Sequence, residues 1–498
     1  MTIFQRMFRS NAKNKYRSEN NKKQPIPEQE NQTSSLPHTL DNFKDCIDLV
    51  HRELPEIHVD LIYFGHLIGS DEFTRDVAIP FTNIQADEVV LLLRRSQYKK
   101  ISDSKVLIEG ILDGSVAIFH QGNTYLINVY RPEARSIQQS ETETVITGPH
   151  DAFVEDASMN LSLIRRRVKS SHLKVLKLQV GEITKTDVYV LYIDGITNME
   201  YVNELVKRIR DIEMDAIQDA TMLIQCIEDF PNSLFPLFPT TERTDSIVSK
   251  LVAGRVVGIM DGSPSVFSAP ASFFEFFSSP DDYYQRWTLG TATRILRYVA
   301  FIITVTFTAL YVAITTFHYE MIPEALLLTL TESRSRVPFP PIYEALLMEV
   351  TIELLREAGA RLPTKIGQTI GIVGGIVIGQ AAVQAGLTSN ILIIAVASSA
   401  IASFVIPSYV MSASIRLIRF GLIFLAGILG IFGLMMGIAL IVISLAGLTS
   451  LNTSYLTPLA PMNFKDWLDV FIRAPFWSFK KRPSQSKSPN EVKNKMKK

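Results

Sequence analysis

Apolar and polar positions divide this chain into two unlike parts. Up to about residue 290, apolar residues come in short runs that polar turns separate. From residue 298 to residue 448, apolar residues form long runs with few charges. The pattern predicts a cytoplasmic α/β N-terminal region of two subdomains, followed by an α-helical multi-span membrane domain.

The first part holds two sets of predicted helices and strands. The first set has helices over 40–54 and 86–95, a strand over 57–64, and a hairpin with strands over 115–120 and 124–130. The second set has helices over 156–169 and 199–214, strands over 173–179 and 188–194, and a hairpin with strands over 256–260 and 265–268. A polar link near 132–150 separates the sets, so we expect subdomains over 38–132 and 148–290.

Four apolar runs predict the spans of a membrane domain over 291–461. They cover about residues 298–317, 366–386, 391–406 and 420–448. About 20 apolar residues cross a hydrocarbon core about 30 Å thick. The last run is longer than one crossing needs, so it must tilt, protrude or break.

Residues 341–358 predict an amphipathic helix of a different kind. Its polar face carries Glu349, Glu353, Arg356 and Glu357, which favours a helix at the membrane interface or in a water-filled vestibule. The three glutamates would then concentrate cations at the mouth of a pore. The alternative is that they are surface carboxylates of an interfacial helix. Counting this helix as a span gives five spans instead of four.

Both ends of the chain are basic and polar, although the formal net charge is +0. Residues 1–37 predict a disordered tail, which either contacts anionic lipid headgroups or stays solvated. Residues 462–498 predict a second basic tail. Basic flanks at both ends place both termini in the cytoplasm and require an even number of spans, which favours four. That count leaves Arg416 and Arg419 outside, which the same rule disfavours.

The segment 366–386 carries no charge and has two distinct faces. Glycines recur at every fourth position, which on a helix forms a groove where another helix packs closely: Gly367, Gly371, Gly375 and Gly379. The opposite face combines apolar and amide side chains: Thr369, Val373, Ile376, Val377, Gln380 and Gln384.

Glutamine amides that face lipid lack hydrogen-bond partners, so this second face predicts contact with protein or water. One interpretation is a pore-lining helix. Val373, Ile376 and Val377 would form a constriction that closes by dewetting, and Gln380 and Gln384 would solvate a passing ion. The other interpretation is a buried helix whose glutamines bond to neighbouring helices.

The soluble part has no pattern typical of an enzyme. It contains no P-loop, no GxGxxG after a strand, no HExxH and no Cys/His cluster. Cys46 and Cys226 lie far apart, which fits a reducing compartment. Arg165, Arg166 and Arg167 cover three faces of one helix, which favours a solvated or interdomain-paired helix over a nucleic-acid surface. We therefore predict no catalytic residue, no cofactor, no metal and no nucleic-acid partner.

Five long stretches resemble the A subunit of GerA-type spore germination (germinant) receptors. They cover residues 143–175, 190–198, 254–287, 338–390 and 448–461. None of them is a catalytic signature, but their length and order make the resemblance specific.

The resemblance implies a multi-pass protein of the spore inner membrane. It implies a transporter-like B subunit that binds the nutrient and a lipoprotein C subunit as partners. It also implies that the A subunit forms a homo-oligomer, which we expect to be a ring, and acts as a nutrient-gated channel that releases monovalent cations. The residues alone leave two alternatives, a carrier or nutrient-binding membrane protein and a membrane scaffold of the germination complex.

Overall fold

A computed structural model describes residues 34–82, 84–131, 143, 147–361, 375, 377–494 and 496. Within these residues the chain forms two five-stranded sheets, a two-stranded ribbon and a bundle of helices. Most of the predicted basic N-terminal tail lies outside the described residues. Short 3-10 segments occur at Pro55–Ile57, Gly65–Leu67, Phe273–Phe277, Tyr319–Met321, Phe476–Ser478 and Ser484–Ser486, and a π-helical segment at Thr74–Ala78.

The first sheet is antiparallel, with the strand order β1-β2-β4-β5-β3. Its strands are β1 (Leu49–Leu54), β2 (Val59–Phe64), β3 (Lys99–Ile101), β4 (Ser115–His120) and β5 (Asn123–Asn128). The helices of this subdomain are α1 (Leu36–Asn42), α2 (Ser70–Phe73), α3 (Ile79–Thr82), α4 (Val89–Leu93) and α5 (Ser104–Leu112). The predicted β4–β5 hairpin is present. Gln121 and Gly122 make its turn with φ of 48° and 77°, the left-handed conformation that two-residue hairpins favour.

One predicted helix of this subdomain, over 40–54, is wrong. Helix α1 ends at Asn42, and Leu49–Leu54 is strand β1, with Leu49 opposite Phe64 in β2. Strand β1 is an edge strand with four exposed residues, so its sequence lacks the alternation that marks a half-buried strand.

The second sheet is also antiparallel, with the order β6-β7-β9-β10-β8. Its strands are β6 (Leu173–Val180), β7 (Thr186–Ile193), β8 (Thr240–Thr241), β9 (Val256–Met260) and β10 (Val266–Ala269). Its helices are α6 (Ala157–Arg167), α7 (Met199–Arg210), α8 (Ala220–Ile227) and α9 (Thr244–Val252). The predicted elements of this subdomain are all present, with ends that differ by a few residues, whereas β8, α8 and α9 are additional to the prediction. Helices α6, α7 and α8 each begin after an Asp or Asn that accepts backbone N–H bonds.

A buried ion pair joins the two subdomains. Arg165 of α6 donates two hydrogen bonds of 2.9 Å to the carboxylate of Asp48, and both side chains are at most 2 % exposed. The segment before β1 also runs beside β6, where the N–H of Ile47 donates to the carbonyl of Val175. The interdomain-paired interpretation of the arginine run is confirmed for Arg165.

The rest of the chain is mainly helical. Its helices are α10 (Asp281–Tyr284), α11 (Trp287–Phe317), α12 (Glu324–Arg334), α13 (Pro341–Arg361), α14 (residues 377–384), α15 (Asn390–Phe404), α16 (Tyr409–Gly447) and α17 (Trp467–Val470). The ribbon strands β11 (Thr449–Ser450) and β12 (Thr453–Ser454) follow α16. The apolar core of this bundle is continuous with one face of the second sheet.

Helix α16 reverses direction at Gly430, which has φ 62° and ψ −142° inside an otherwise helical segment. A Cβ at Gly437 would lie 2.4 Å from the Leu422 side chain, and one at Gly433 would lie 2.1 Å from the Leu425 carbonyl oxygen. Leu422 and Gly437 are 15 positions apart, and a straight helix would separate them by about 22 Å. The element is therefore a hairpin with a first arm (409–429) and a second arm (431–447). The predicted single span over 420–448 breaks here.

The predicted amphipathic helix also differs from its expected position. Helix α13 packs against α11, α15 and α16, with Glu344 and Glu349 fully buried. Its carboxylates enter the bundle because arginines of α12 and α16 pair with them. The helix is an integral part of the bundle.

Candidate pore helix and charge ladder

The described part of the predicted pore helix, α14, presents two unlike faces. Gly379 is buried, and a Cβ there would lie 4.0 Å from the Ile393 side chain of α15. Ala382, on the same side, is 7 % exposed. Val377, Gln380 and Gln384 share the other side, and all three are exposed. The small residues thus pack within the chain, whereas the amides point out of it.

Part of the predicted site lies outside the described residues. This applies to Gly367, Gly371, Thr369, Val373 and Ile376. Gly375 is described and exposed, and a Cβ there would meet nothing within 4 Å. The proposed packing of the glycines between copies and the proposed constriction remain predictions.

Within the helix bundle, two carboxylates of α13 face two arginines of the first arm of α16. Arg419 Nη2 lies 2.5 Å from Glu349 Oε2, and both side chains are 0 % exposed. One turn away, Arg416 Nε donates to Glu353 Oε1 at 3.1 Å. We call these four residues the charge ladder.

The ladder fixes α13 and the first arm as antiparallel neighbours. Ile342 of α13 contacts Gly427, where a Cβ would lie 2.3 Å from its Cδ1. Moving along α13 from Ile342 to Glu349 and Glu353 therefore corresponds to moving back along α16 from Gly427 to Arg419 and Arg416. This approach requires glycine at position 427.

Hydroxyl groups of α11, α15 and α16 also bond to the ladder. Thr308 of α11 donates to Glu349 Oε1 at 2.9 Å. Arg419 donates to the hydroxyl of Ser399 in α15 at 2.9 Å, and Arg416 donates to Ser412 at 2.9 Å. These hydrogen bonds to Glu349, Arg419 and Arg416 lower the cost of burying the charges.

The three glutamates predicted to line a vestibule occupy different environments. Glu349 lies inside the bundle, as described above. Glu353 is 36 % exposed and also accepts a bond from Arg356. Glu357 is 58 % exposed and pairs with Arg361, one turn along the same helix. Exposure to solvent therefore increases from Glu349 to Glu357, towards the end of α13.

Sequence reasoning missed Arg416, Arg419 and Thr308 as members of this network. A signal was available, because two glutamates four residues apart and two arginines three residues apart each lie on one helical face in apolar surroundings. Intramembrane charges of this kind pair with one another.

A group of possible metal ligands lies elsewhere, on the exposed β1–β2 edge. The ligand atoms of His51, Glu53 and Asp60 lie within 4.8 Å of one another. His51 Nε2 is already hydrogen-bonded to Asp60 at 3.0 Å. We assign this surface pair no metal.

The segment after α16 returns to the α/β region. Ser450 donates to the carbonyl of Leu237, and the N–H of Ala271 donates to Ser450, both at 3.0 Å. Further along, the hydroxyl of Tyr201 donates to the carbonyl of Gln485, whose side chain is 5 % exposed. Part of the predicted C-terminal basic tail is therefore docked on the second subdomain.

Two described helices, Trp287–Phe317 and Tyr409–Gly447, are long and apolar enough to cross a membrane. Together with the α/β region they define a class, that of membrane proteins with a large two-sheet domain before the helix bundle.

The family model described as Bacillus/Clostridium GerA spore germination protein matches residues 38–485. The chain belongs to this GerA family of spore germination proteins, which confirms the resemblance inferred from the sequence.

Individual proteins agree with this assignment. The chain is 42 % identical over 473 residues to spore germination protein GerQA of Bacillus cereus, covering 92 % of this chain and 94 % of the relative. It is 34 % identical over 482 residues to the uncharacterized membrane protein YfkQ of Bacillus subtilis (strain 168), covering 93 % of each. The N-terminal domain of the A subunit of the Bacillus megaterium spore germinant receptor GerK3, a crystal structure, aligns with a TM-score of 0.37 at 22 % identity, over 48 % of this chain and 94 % of that one.

The family match and the similarity to spore germination protein GerQA support a role in spore germination. The family is not a known class of enzyme. The two apolar helices and the membrane protein among the relatives indicate a membrane location.

Proposed function

We propose that this chain is the A subunit of a spore germinant receptor, and that several copies form a nutrient-gated ion channel in the spore inner membrane. A transporter-like B subunit and a lipoprotein C subunit complete the receptor. Opening of the channel releases monovalent cations and starts germination.

The exposed amides of α14 are the observation that carries this proposal. Gln380 and Gln384 lie on the outer surface of the single chain, beside Val377. In a bilayer, that surface must be covered by another protein or by water, because lipid offers no hydrogen bonds. A ring of copies with α14 facing a central pore meets this requirement, whereas an isolated chain in lipid does not.

Six membrane crossings fit the arrangement of the helices better than four or five. The crossings are α11, α13, the predicted span over 366–386, α15 and the two arms of α16. The contacts of Ser450 and Gln485 with the α/β region support an even number, since both ends of the bundle then lie on one side. We assign that side to the cytoplasm because Arg286, Arg294 and Arg297 precede or begin the first crossing.

In this channel Val373, Ile376 and Val377 form the apolar constriction, and Gln380 and Gln384 solvate the ion. Thr369 belongs to the same face. Gly367, Gly371, Gly375 and Gly379 permit close helix packing. Glu353 and Glu357 concentrate cations at the cytoplasmic mouth, while Glu349 holds α13 against α16. Nutrient binding can shift the equilibrium towards the open channel by no more than the difference between the nutrient's affinities for the open and closed states.

Cysteine accessibility in the reconstituted receptor tests the proposal. Gln380→Cys and Gln384→Cys, made with Cys46 and Cys226 replaced by serine, should react with a charged thiol reagent after nutrient addition, and the reaction should block conductance. Ala382→Cys is the matched control, because Ala382 is buried on the opposite face of the same helix. Gln380 and Gln384 sealed from the reagent in the opened receptor would overturn the pore assignment. A receptor without any conductance would favour the scaffold.

A germination assay tests the constriction separately. Val377→Ala should widen it and give spores that germinate without nutrient. Val442→Ala is the control, because Val442 is 54 % exposed on the second arm of α16 and lies away from α14 in the sequence. Normal dormancy of the Val377→Ala spores would contradict the constriction.

A further inference from the structure

A cavity of about 500 Å³ lies between the α/β region and the hairpin α16. The loop 229–235, between α8 and β8, forms one wall. The other wall combines both arms of α16, with Ile418 from the first arm and Leu440, Ile441 and Ser444 from the second. The lining contributed by α16 is thus apolar apart from one hydroxyl.

A second cavity, of about 420 Å³, adjoins the first. The two share Asp229 and Phe230. The second is polar, and its lining includes Arg208, Glu228, Thr449 and Asn452. Arg208 is held in place by ion pairs with Glu204 and Asp229. An apolar compartment therefore lies next to a compartment lined by one guanidinium and two carboxylates.

Both cavities lie where the bundle meets the α/β region. The second arm ends at Gly447, and two residues later the hydroxyl of Thr449 donates to Asp229 at 2.6 Å. The loop that covers the apolar cavity exposes Phe230 by 41 % and Leu234 by 52 %. In the proposed membrane orientation these side chains lie at the boundary of the cytoplasmic leaflet, where apolar residues contact acyl chains.

We propose that the paired cavities bind one phospholipid of the cytoplasmic leaflet, with an acyl chain in the apolar cavity and the headgroup in the polar one. Both volumes are in the range of roughly 300–1,000 Å³ found for small-molecule sites. The inference rests on the membrane placement given under the proposed function. It does not require the chain to form a channel.

The charges of the polar cavity select among phospholipids. The guanidinium of Arg208 attracts a lipid phosphate, and the carboxylates of Glu228 and Asp229 attract an ammonium group. Arg208 already pairs with Glu204 and Asp229, so with Glu228 the carboxylates outnumber the guanidinium and disfavour a headgroup with a net negative charge. The site therefore fits a zwitterionic headgroup with a primary ammonium, as in phosphatidylethanolamine.

A bound lipid would connect three parts of the chain. It contacts the loop 229–235, the first arm at Ile418 and the second arm at Ile441. Movement of the α/β region relative to the hairpin would then have to move or release the lipid.

Photocrosslinking tests this site on the full chain in vesicles. The probe is phosphatidylethanolamine with a diazirine on its acyl chain, and mass spectrometry locates the labelled peptides. The loop 229–235 should be labelled. Ser444→Trp, which fills the apolar cavity, should reduce that labelling by about tenfold, as expected when a small-molecule site is blocked. Leu440→Trp is a second lining variant with the same expectation.

Ile443→Trp is the matched control, because Ile443 is 67 % exposed on the same arm and does not line the cavity. In the Ile443→Trp variant, the probe should label the loop 229–235 as strongly as it does in the unmodified chain. Equal labelling in the Ser444→Trp and Leu440→Trp variants would overturn the acyl-chain site. Equal labelling by the same probe with a phosphatidylglycerol headgroup would overturn the headgroup assignment. Absence of label on the exposed face around Ile443 would instead contradict the membrane placement.

Discussion

Glu349 of α13 and Arg419 of α16 form an ion pair in which neither side chain has any exposed surface, with 2.5 Å between Oε2 and Nη2. The pair joins two helices that are about 70 residues apart in sequence. Removing one charge leaves the other buried without a partner, which is more costly than removing both.

The ion pair gives the first prediction. Arg419→Met should lower the free energy of unfolding by about 3–5 kcal/mol, because it strands the Glu349 carboxylate in the bundle. The double variant Glu349→Leu/Arg419→Met should recover most of this loss. Unfolding by SDS titration in mixed micelles measures both.

Arg361→Met is the control for that series. Arg361 is 77 % exposed and pairs with Glu357 on the surface of the same helix, so the change should cost less than about 1 kcal/mol. An Arg419→Met variant no less stable than Arg361→Met would contradict the buried pair.

The reversal of α16 gives the second prediction. Gly430 has a positive φ, and a Cβ there would lie 2.8 Å from the His318 ring. Gly430→Ala should therefore destabilise the hairpin by about 1–3 kcal/mol. Gly421→Ala, on the first arm, meets nothing within 4 Å and should stabilise the helix by about 0.5–1 kcal/mol. The same micelle titration compares them, and equal effects at the two glycines would argue for a continuous helix.

The sequence predicted the two faces of α14 because a glycine repeat and an amide pair are local features of one helix. It predicted that the long last run must tilt, protrude or break, but not which of these occurs or at which residue. The apolar residues continue on both sides of Gly430, and six glycines between 421 and 447 offer similar turn signals. Contacts with Phe317 and His318 distinguish Gly430, and those residues are more than 100 positions away.

The charge ladder is a second feature that the sequence alone did not predict, because it depends on contacts between distant parts of the chain. The spacing of Glu349 and Glu353 is visible in the sequence, where it predicts the polar face of an interfacial or vestibule helix. A carboxylate on an amphipathic helix faces water unless another element supplies a cation. The sequence does not say that Arg416 and Arg419 lie opposite these carboxylates. Pairing between distant elements therefore decided the position of α13.

The pair Asp48–Arg165 gives the third prediction. Arg165 is 1 % exposed, and its guanidinium also lies 4.5 Å from the centre of the Phe64 ring. Arg165→Met should weaken the joint between the two subdomains by about 3–5 kcal/mol, since Asp48 stays buried. Hydrogen exchange should then increase in β1 and β6. Arg166→Met, at the exposed neighbouring position, should change neither strand, and matching exchange in both variants would contradict the joint.

His66 gives the fourth prediction, a pH dependence of the same joint. Burial lowers the pKa of His66 from 6.5 to about 4, although Asp48, 3.7 Å away, acts in the opposite direction. Above pH 6.5 the imidazole is neutral in the folded and unfolded chains, so stability is complete. As the pH falls from 6.5 towards 4, only the unfolded chain gains the proton, and about 3 kcal/mol of stability is lost. Hydrogen exchange of β2 across this interval, corrected for the intrinsic rate, measures the loss. His66→Leu should remove this loss of stability at low pH. His51→Leu, on the exposed edge, should leave the loss unchanged. An unaltered pH profile in His66→Leu would show that another group titrates.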